Sequence, residues 1–189
     1  MGIIRRAAGA LVTSAVTVSA LAAQQSGTQA RDVYLRAVAD FFRLSSTEVS
    51  ILADWRLPPD EIPVVLFVAH QAGVSPEALV ALRSSGRSWS DLARRYQVDA
   101  SHFYVPLPDG ADAGILQGAY SRYRGLPAAR WGEVTLADSD IVALVNVRVL
   151  AQTFHVSPET VLGATAPGRS FVDVFASLLR SQGGSVPRE

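Results

Sequence analysis

The amino-acid sequence predicts an all-α protein, in which duplicated helix-turn-helix-like corners form a compact multi-helix bundle or a short solenoid. Three observations support this prediction. A stretch of eighteen residues occurs twice, at 74–91 and at 156–173, with eight identical positions where chance gives roughly one. A shorter spacing of Ala, aliphatic and capping residues occurs four times. Hydrophobic residues make up 49% of the chain and charged residues 18%, which is typical of a packed globular protein.

The first segment of the chain has the pattern of a secretory signal peptide. Arg5 and Arg6 precede an uncharged run at 7–21, and the tripeptide Ala-Leu-Ala at 20–22 is a small-x-small cleavage site. We therefore expect residues 1–22 to be a signal peptide, which gives a periplasmic or secreted protein. A membrane anchor and a mitochondrial-type targeting helix are the alternatives, but the apolar run is short for a bilayer core of about 30 Å. No later segment has the pattern of a membrane span.

The remaining sequence divides into two halves that resemble each other. The first helical half is predicted at 23–104 and the second at 112–181. Between them, residues 105–111 contain two prolines and a glycine, which predicts an extended linker. The last residues, 182–189, are polar and rich in Gly, and we expect a flexible tail there.

Four places in the chain share one spacing that resembles the helix-turn-helix signature. Each has an Ala, an aliphatic residue five positions later, Ser or Asp at the next position, and an apolar residue four positions further on. The small Ala lets two helices approach closely, the aliphatic residue fills their junction, and the polar residue caps the second helix. These four turn units begin at Ala39, Ala69, Ala93 and Ala151.

The duplicated stretch contains signals for helix starts and helix ends. Ser75 and Ser157 are each followed by Pro and Glu, which is the pattern of an N-cap, a first helical residue and an acidic first turn. Gly86 and Gly168 are predicted to end a helix in the left-handed conformation. Further capping boxes, of the pattern S-x-x-E or S-x-x-D, are predicted at 45–48, 88–91 and 170–173.

Two segments leave the choice between helix and extended structure open. Residues 141–150 are rich in Val and alternate as a strand does, but the register of Ala151 with the following cap favours a buried helix. Residues 132–136 could form a short extended piece. Trp89 and Phe171 occupy matching positions in the two copies and are predicted to be core aromatics.

The sequence contains no pattern of a known catalytic, metal or cofactor site, so we predict none of these. There is no Cys, no G-x-S-x-G motif and no Gly-rich loop with a Lys. The histidines share no metal-ligand spacing, and one of them aligns with a turn glycine; they are His70, His102 and His155. Four carboxylates begin the two apolar helices and are predicted to complement the helix dipoles; they are Asp60, Glu61, Asp138 and Asp140.

Two sets of residues are candidates for binding. Arg87 and Arg169 occupy the same place in each copy, between the glycine and the capping serine. Each could bind an anion, a carboxylate on a partner chain, or the carbonyls that end the previous helix. Aromatic residues interleaved with Arg form the second set, which could be an exposed interaction surface or the core of an amphipathic helix; they are Tyr104, Tyr120, Tyr123 and Trp131.

These features favour an exported structural or protein-interaction module, whose partner would be a protein or peptide of the cell envelope. The helix-turn-helix-like units raise DNA binding as an alternative. The segments in the recognition position carry one Arg and several acids, and the chain has no net charge, so a nucleic-acid partner is disfavoured. A soluble envelope enzyme without a recognisable motif is the other alternative.

Overall fold

A computed structural model describes residues 14–183 of the chain, with the side chains at 14–26, 46, 49, 50 and 53 left aside. This described part contains helices, turns and irregular segments and no β-strand, which confirms the all-α prediction. The predicted signal peptide and the predicted tail fall partly outside it. Within the described residues, no helix has both the length and the apolar character that crossing a bilayer would require.

Ten α-helices are described in residues 14–183. They are α1 Ser14–Phe41, α2 Ser46–Asp54, α3 Ile62–Ala72, α4 Pro76–Ser84, α5 Trp89–Arg95, α6 Ala100–Phe103, α7 Gln117–Arg124, α8 Asp138–Phe154, α9 Pro158–Gly163 and α10 Phe171–Ser181. Short 3-10 turns lie at Pro59–Glu61, Gly114–Leu116 and Ala128–Glu133.

The four predicted turn units share one backbone geometry. In each unit the fifth residue after the Ala donates its backbone N–H to the Ala carbonyl, at 2.9–3.1 Å. The residue before it has a left-handed backbone, with φ between 52° and 65°; these residues are Arg43, Gly73, Gln97 and His155. The following polar residue accepts a backbone N–H of the next helix; these caps are Ser45, Ser75, Asp99 and Ser157. The spacing therefore encodes a Schellman helix end followed at once by a new N-cap.

The second half of each duplicated stretch is also formed as predicted, with one exception. Ser88 and Ser170 cap α5 and α10, and the aromatic residues that follow them are buried. Gly86 and Gly168 both have the left-handed backbone. However, α9 ends at Gly163, so the prediction that Gly168 ends this helix is wrong. Pro167 disfavours helical backbone at Ala166, so the helix cannot continue to Gly168.

Helix α8 is the centre of the core. It contacts α1, α3, α5, α6, α9 and α10, and ten of its seventeen residues are buried. The strand alternative for residues 141–150 is therefore wrong, because this apolar run is helical and surrounded on several sides. The other ambiguous segment is divided: Gly132 and Glu133 end a 3-10 turn, while residues 134–137 have no regular secondary structure.

Carboxylates at the start of α3 and α8 bind helices on the other side of the predicted linker. Asp60 accepts the backbone N–H of Phe171, the first residue of α10, at 2.9 Å. Asp138 accepts the backbone N–H of Ser90 in the first turn of α5, at 3.2 Å. The sequence predicted only that these carboxylates serve the helices they begin. They instead connect the two sequence-defined halves at the helix starts.

Arg83 joins the same two helix starts through its guanidinium group. Its Nε and Nη2 atoms donate to the two carboxylate oxygens of Glu61, both at 2.8 Å, and its Nη1 donates to Asp138 at 2.9 Å. The guanidinium carbon also lies 5.2 Å from the centre of the buried Trp89 ring.

Asp140 has the predicted local role, because it accepts the backbone N–H of Ala137 at 2.9 Å.

The predicted linker and tail are both attached to the helical core at their first residues. Residues 104–113 contain no helix, and the hydroxyl of Tyr120 donates to the Val105 carbonyl within this segment at 2.5 Å. At the tail, Gln182 donates from its side-chain amide to the Phe154 carbonyl at the end of α8, at 3.0 Å. The remaining tail, 184–189, lies outside the described residues.

Candidate functional site

The predicted aromatic set forms one cluster in the described structure. The ring of Tyr104 lies 4.0 Å from that of Trp131, 5.1 Å from that of Tyr123 and 5.9 Å from that of Tyr120, measured between ring centroids. Tyr120 and Tyr123 are only 2% and 1% exposed, while the other two rings are half-buried. The expectation of an exposed surface is therefore wrong for the two buried tyrosines, and the alternative of a helix core holds for them.

The polar atoms of this cluster are used for internal hydrogen bonds. The hydroxyl of Tyr123 donates to the Ala100 carbonyl at 2.6 Å, and the indole N–H of Trp131 donates to the Tyr123 carbonyl at 3.0 Å. Burial raises the pKa of both Tyr120 and Tyr123 well above the ordinary value, so both phenols remain neutral donors. These contacts attach α7 to α6 and to the linker segment.

The two matched arginines have different surroundings. Arg169 donates from Nη1 to the carbonyl of Ala164, which follows α9, at 2.6 Å, and from Nη2 to the Asp173 carbonyl at 3.3 Å. The helix-end alternative therefore holds for Arg169. Arg87 is exposed, and within residues 27–183 no hydrogen bond or ion pair engages its guanidinium group. Of the two, only Arg87 therefore keeps a guanidinium group available to an external ligand.

A groove of about 360 Å³ opens between α5, α6 and the irregular segment 134–137. Gly132, which also lines the groove, lies close to the start of α6: a Cβ at this position would be 3.0 Å from the carboxyl carbon of Asp99. The groove floor is apolar and is formed by Ala93, Val98, Phe103, Val134, Leu136 and Ile141. Its volume falls within the range of ordinary ligand pockets.

The rim of the groove is polar and carries charges of both signs. Arg94 and Gln97 lie on the α5 side, Asp99 lies at the start of α6, and Thr135 lies on the opposite side. The Asp99 carboxylate is already occupied, since it accepts the backbone N–H of Ser101 at 2.9 Å and that residue's hydroxyl at 2.6 Å. These hydrogen bonds lower the pKa of Asp99, which stays ionised at neutral pH.

A second hollow of about 290 Å³ adjoins the groove and shares Arg94 with it. We call it the arginine hollow; it is lined by Arg87, Asp91, Leu92, Arg94 and Arg95. Arg94 forms an ion pair with Asp91. The Ser88 hydroxyl and, to a smaller extent, the charges of Arg94 and Arg87 lower the pKa of Asp91. The hollow is therefore a positively charged surface beside an apolar groove.

In the described part of the chain, no three or more His, Asp and Glu side chains are arranged to hold a metal ion. His102 lies 3.0 Å from Asp99 at the α6 start, whereas His70 is at the end of α3 and His155 is the left-handed residue after α8. The predicted turn position of His155 is thus confirmed. Asp60, whose pKa is raised by burial, contacts the first residue of α10 and does not line the groove.

The sequence contains only a weak signal for this site. Three arginines and one aspartate occur between positions 87 and 95, in a chain with equal numbers of positive and negative side chains. The groove itself forms where α5 and α6 meet the distant segment 134–137, and no local pattern predicts this contact. No family model, curated protein or solved structure matches the chain.

Proposed function

We propose that the protein is an exported helical interaction module that binds a segment of a partner protein in the cell envelope. The observation that carries this proposal is the apolar groove between α5, α6 and residues 134–137. Its floor is apolar, and its rim offers polar groups at both sides. This combination is typical of peptide-binding surfaces.

The stability of the groove walls supports a binding role. Ala93 and Val98 belong to a turn unit whose backbone is fixed by the bond from the Val98 N–H to the Ala93 carbonyl, at 2.9 Å. Phe103 is 1% exposed and packs on Phe67, with ring centroids 5.3 Å apart. Preformed walls reduce the conformational entropy that binding would otherwise cost. The groove is therefore suited to a partner that docks without refolding the site.

The exported location is supported by the signal-peptide pattern of residues 1–22. Protein recovered from a periplasmic fraction should have an intact mass that corresponds to a chain beginning at Ala23 or nearby. A chain that begins at Met1 and remains in the cytoplasm would contradict this part of the proposal.

The binding role is tested by filling the groove. Thr135 is exposed at the groove rim, so Thr135→Trp adds bulk there without disturbing a buried position. We expect peptides selected from a random library on the full chain to share an apolar residue. Calorimetry should show that Thr135→Trp weakens their binding by about tenfold or more.

The matched control is Thr160→Trp, which adds the same side chain at an exposed position of α9 that does not line the groove. This variant should bind the selected peptides as the unaltered chain does. Equal binding by both tryptophan variants would show that the peptides use another surface, and would reject the groove as the binding site.

A further inference from the structure

We propose that the groove and the arginine hollow together bind a partner segment in which an apolar side chain is flanked by Asp or Glu. This inference rests on the proposed function, since it specifies the chemistry of the segment that the groove accepts. It is carried by the continuity of two surfaces of different character, one apolar and one basic, that meet at Arg94.

The arginine hollow has an excess of positive charge. It is lined by three guanidinium groups and one carboxylate, which leaves a local charge of +2. Arg94 is the partner of Asp91 in an ion pair. Arg95 lies over the ring of Tyr96 at 5.9 Å, which leaves its N–H groups free to donate, and Arg87 is unpaired among residues 27–183. Two cations thus remain for an anion outside the chain.

Some exposed arginines elsewhere on the described surface are neutralised by a carboxylate of the chain. Arg122 is paired with Asp140, and Arg130 is paired with Glu133. A guanidinium group forms its strongest hydrogen bonds with planar oxyanions such as a carboxylate, which it can bind through two parallel bonds. The hollow therefore favours acidic side chains on whatever segment enters the groove.

The apolar groove next to the hollow favours a peptide over a nucleic acid. A phosphate backbone could pair with Arg87 and Arg95, but it would leave the apolar floor around Phe103 and Leu136 unoccupied. Tight binding to nucleic acid also requires several phosphate contacts, and this hollow supplies two free cations. A segment with an apolar anchor beside carboxylates matches both surfaces at once.

The test compares three short peptides that share a Leu-Phe core and differ only in the flanking residues, which are Glu, Gln or Lys. Calorimetry on the full chain should show that the Glu peptide binds about three- to tenfold more tightly than the Gln peptide, with the Lys peptide weakest. Because rim charges are screened by salt, this advantage should disappear between about 0.05 and about 0.5 M salt.

The double substitution Arg87→Gln and Arg95→Gln should abolish the preference for the Glu peptide, so that this variant binds the Glu and the Gln peptide with equal affinity. The control is Arg124→Gln, because Arg124 is an exposed arginine on α7 that borders neither the groove nor the arginine hollow. This control should keep the full preference for the Glu peptide.

The possible outcomes distinguish a failure of the inference from a failure of the proposed function. Equal affinity for the Glu and Gln peptides would overturn the inference while the groove remained a peptide site. Failure of all three peptides to bind would reject both. Duplex DNA that binds more tightly than the Glu peptide, and that loses affinity in the double variant, would assign the hollow to nucleic acid and overturn the inference.

Discussion

Asn146 connects three parts of the core through one buried side chain. Its Oδ1 accepts the hydroxyl of Tyr34 on α1 at 2.5 Å. Its Nδ2 donates to the carbonyls of Asp60 and Val142, both at 2.8 Å. Burial raises the pKa of Tyr34 well above its ordinary value, so its phenol remains a donor. Tyr34 and Asn146 are both 0% exposed, so water cannot easily replace the hydrogen bond between them.

The residue-scale prediction concerns this hydrogen-bond network. Asn146→Leu leaves the Tyr34 hydroxyl and the Asp60 carbonyl unpaired, and we expect it to lower the free energy of unfolding by about 2–4 kcal/mol. Tyr34→Phe removes one bond and should cost about 1–2 kcal/mol. Urea denaturation measures both. The double variant should lose less than the sum, and strict additivity would contradict a shared network.

At the scale of the element, the helix turns are the part of the fold that sequence predicts best. The turn units depend on neighbours within six positions, so one spacing of residue types specifies the left-handed residue, the 6→1 bond and the next cap. The same reasoning overestimated α9, because matching it to α4 ignored Pro167. The groove was not predicted, because α5 and α6 meet residues 134–137 only after the chain has folded.

The element-scale prediction compares two substitutions at the left-handed position of equivalent turns. Gly73 has φ 65° and open space around the position that a Cβ would occupy, so Gly73→Ala should cost about 1 kcal/mol through backbone strain alone. His155 occupies the equivalent position with φ 52°, and His155→Gly should stabilise the protein by a similar amount. Thermal unfolding of both variants measures these effects.

The control for these turn substitutions is Gly27→Ala in helix α1, where the added methyl group also meets open space. Here the backbone is helical and alanine is the better helix former, so the same substitution should stabilise by about 0.5–1 kcal/mol. Equal effects of the two Gly→Ala changes would show that left-handed geometry does not limit the turn.

At the scale of the whole molecule, the ionisation of Asp60, which contacts the start of α10, makes the stability of the protein depend on pH. Burial raises the pKa of Asp60, with smaller contributions of the same sign from the charges of Asp173 and Glu61, and the N–H groups of Phe171 and Val172 oppose this shift. The ionised carboxylate is therefore less favourable in the folded protein than in the unfolded chain. The charge of Asp60 therefore lowers the free energy of unfolding at a pH above the raised pKa. This loss disappears as the pH falls below the ordinary pKa of an aspartate.

The corresponding prediction is that Asp60→Asn, which keeps an oxygen acceptor without a charge, is more stable than the unaltered chain at about pH 7. The difference should shrink as the pH falls through the raised pKa of Asp60 towards the ordinary pKa of an aspartate. Urea denaturation at several pH values measures it. Asp138→Asn is the matched control, because it weakens the ion pair with Arg83 and should destabilise at neutral pH. A pH-independent difference for Asp60→Asn would contradict the argument.

The crossed pairing of Asp60 with α10 and of Asp138 with α5 has a consequence for how the chain can be divided. If the chain were cut within the predicted linker at 105–111, each fragment would keep the start of one helix, α5 or α10. The carboxylate that accepts from this helix start would lie on the other fragment. Each fragment would also expose an acid that its missing counterpart normally covers. Proteolysis at that segment should therefore yield two pieces that stay associated and remain helical only as a pair.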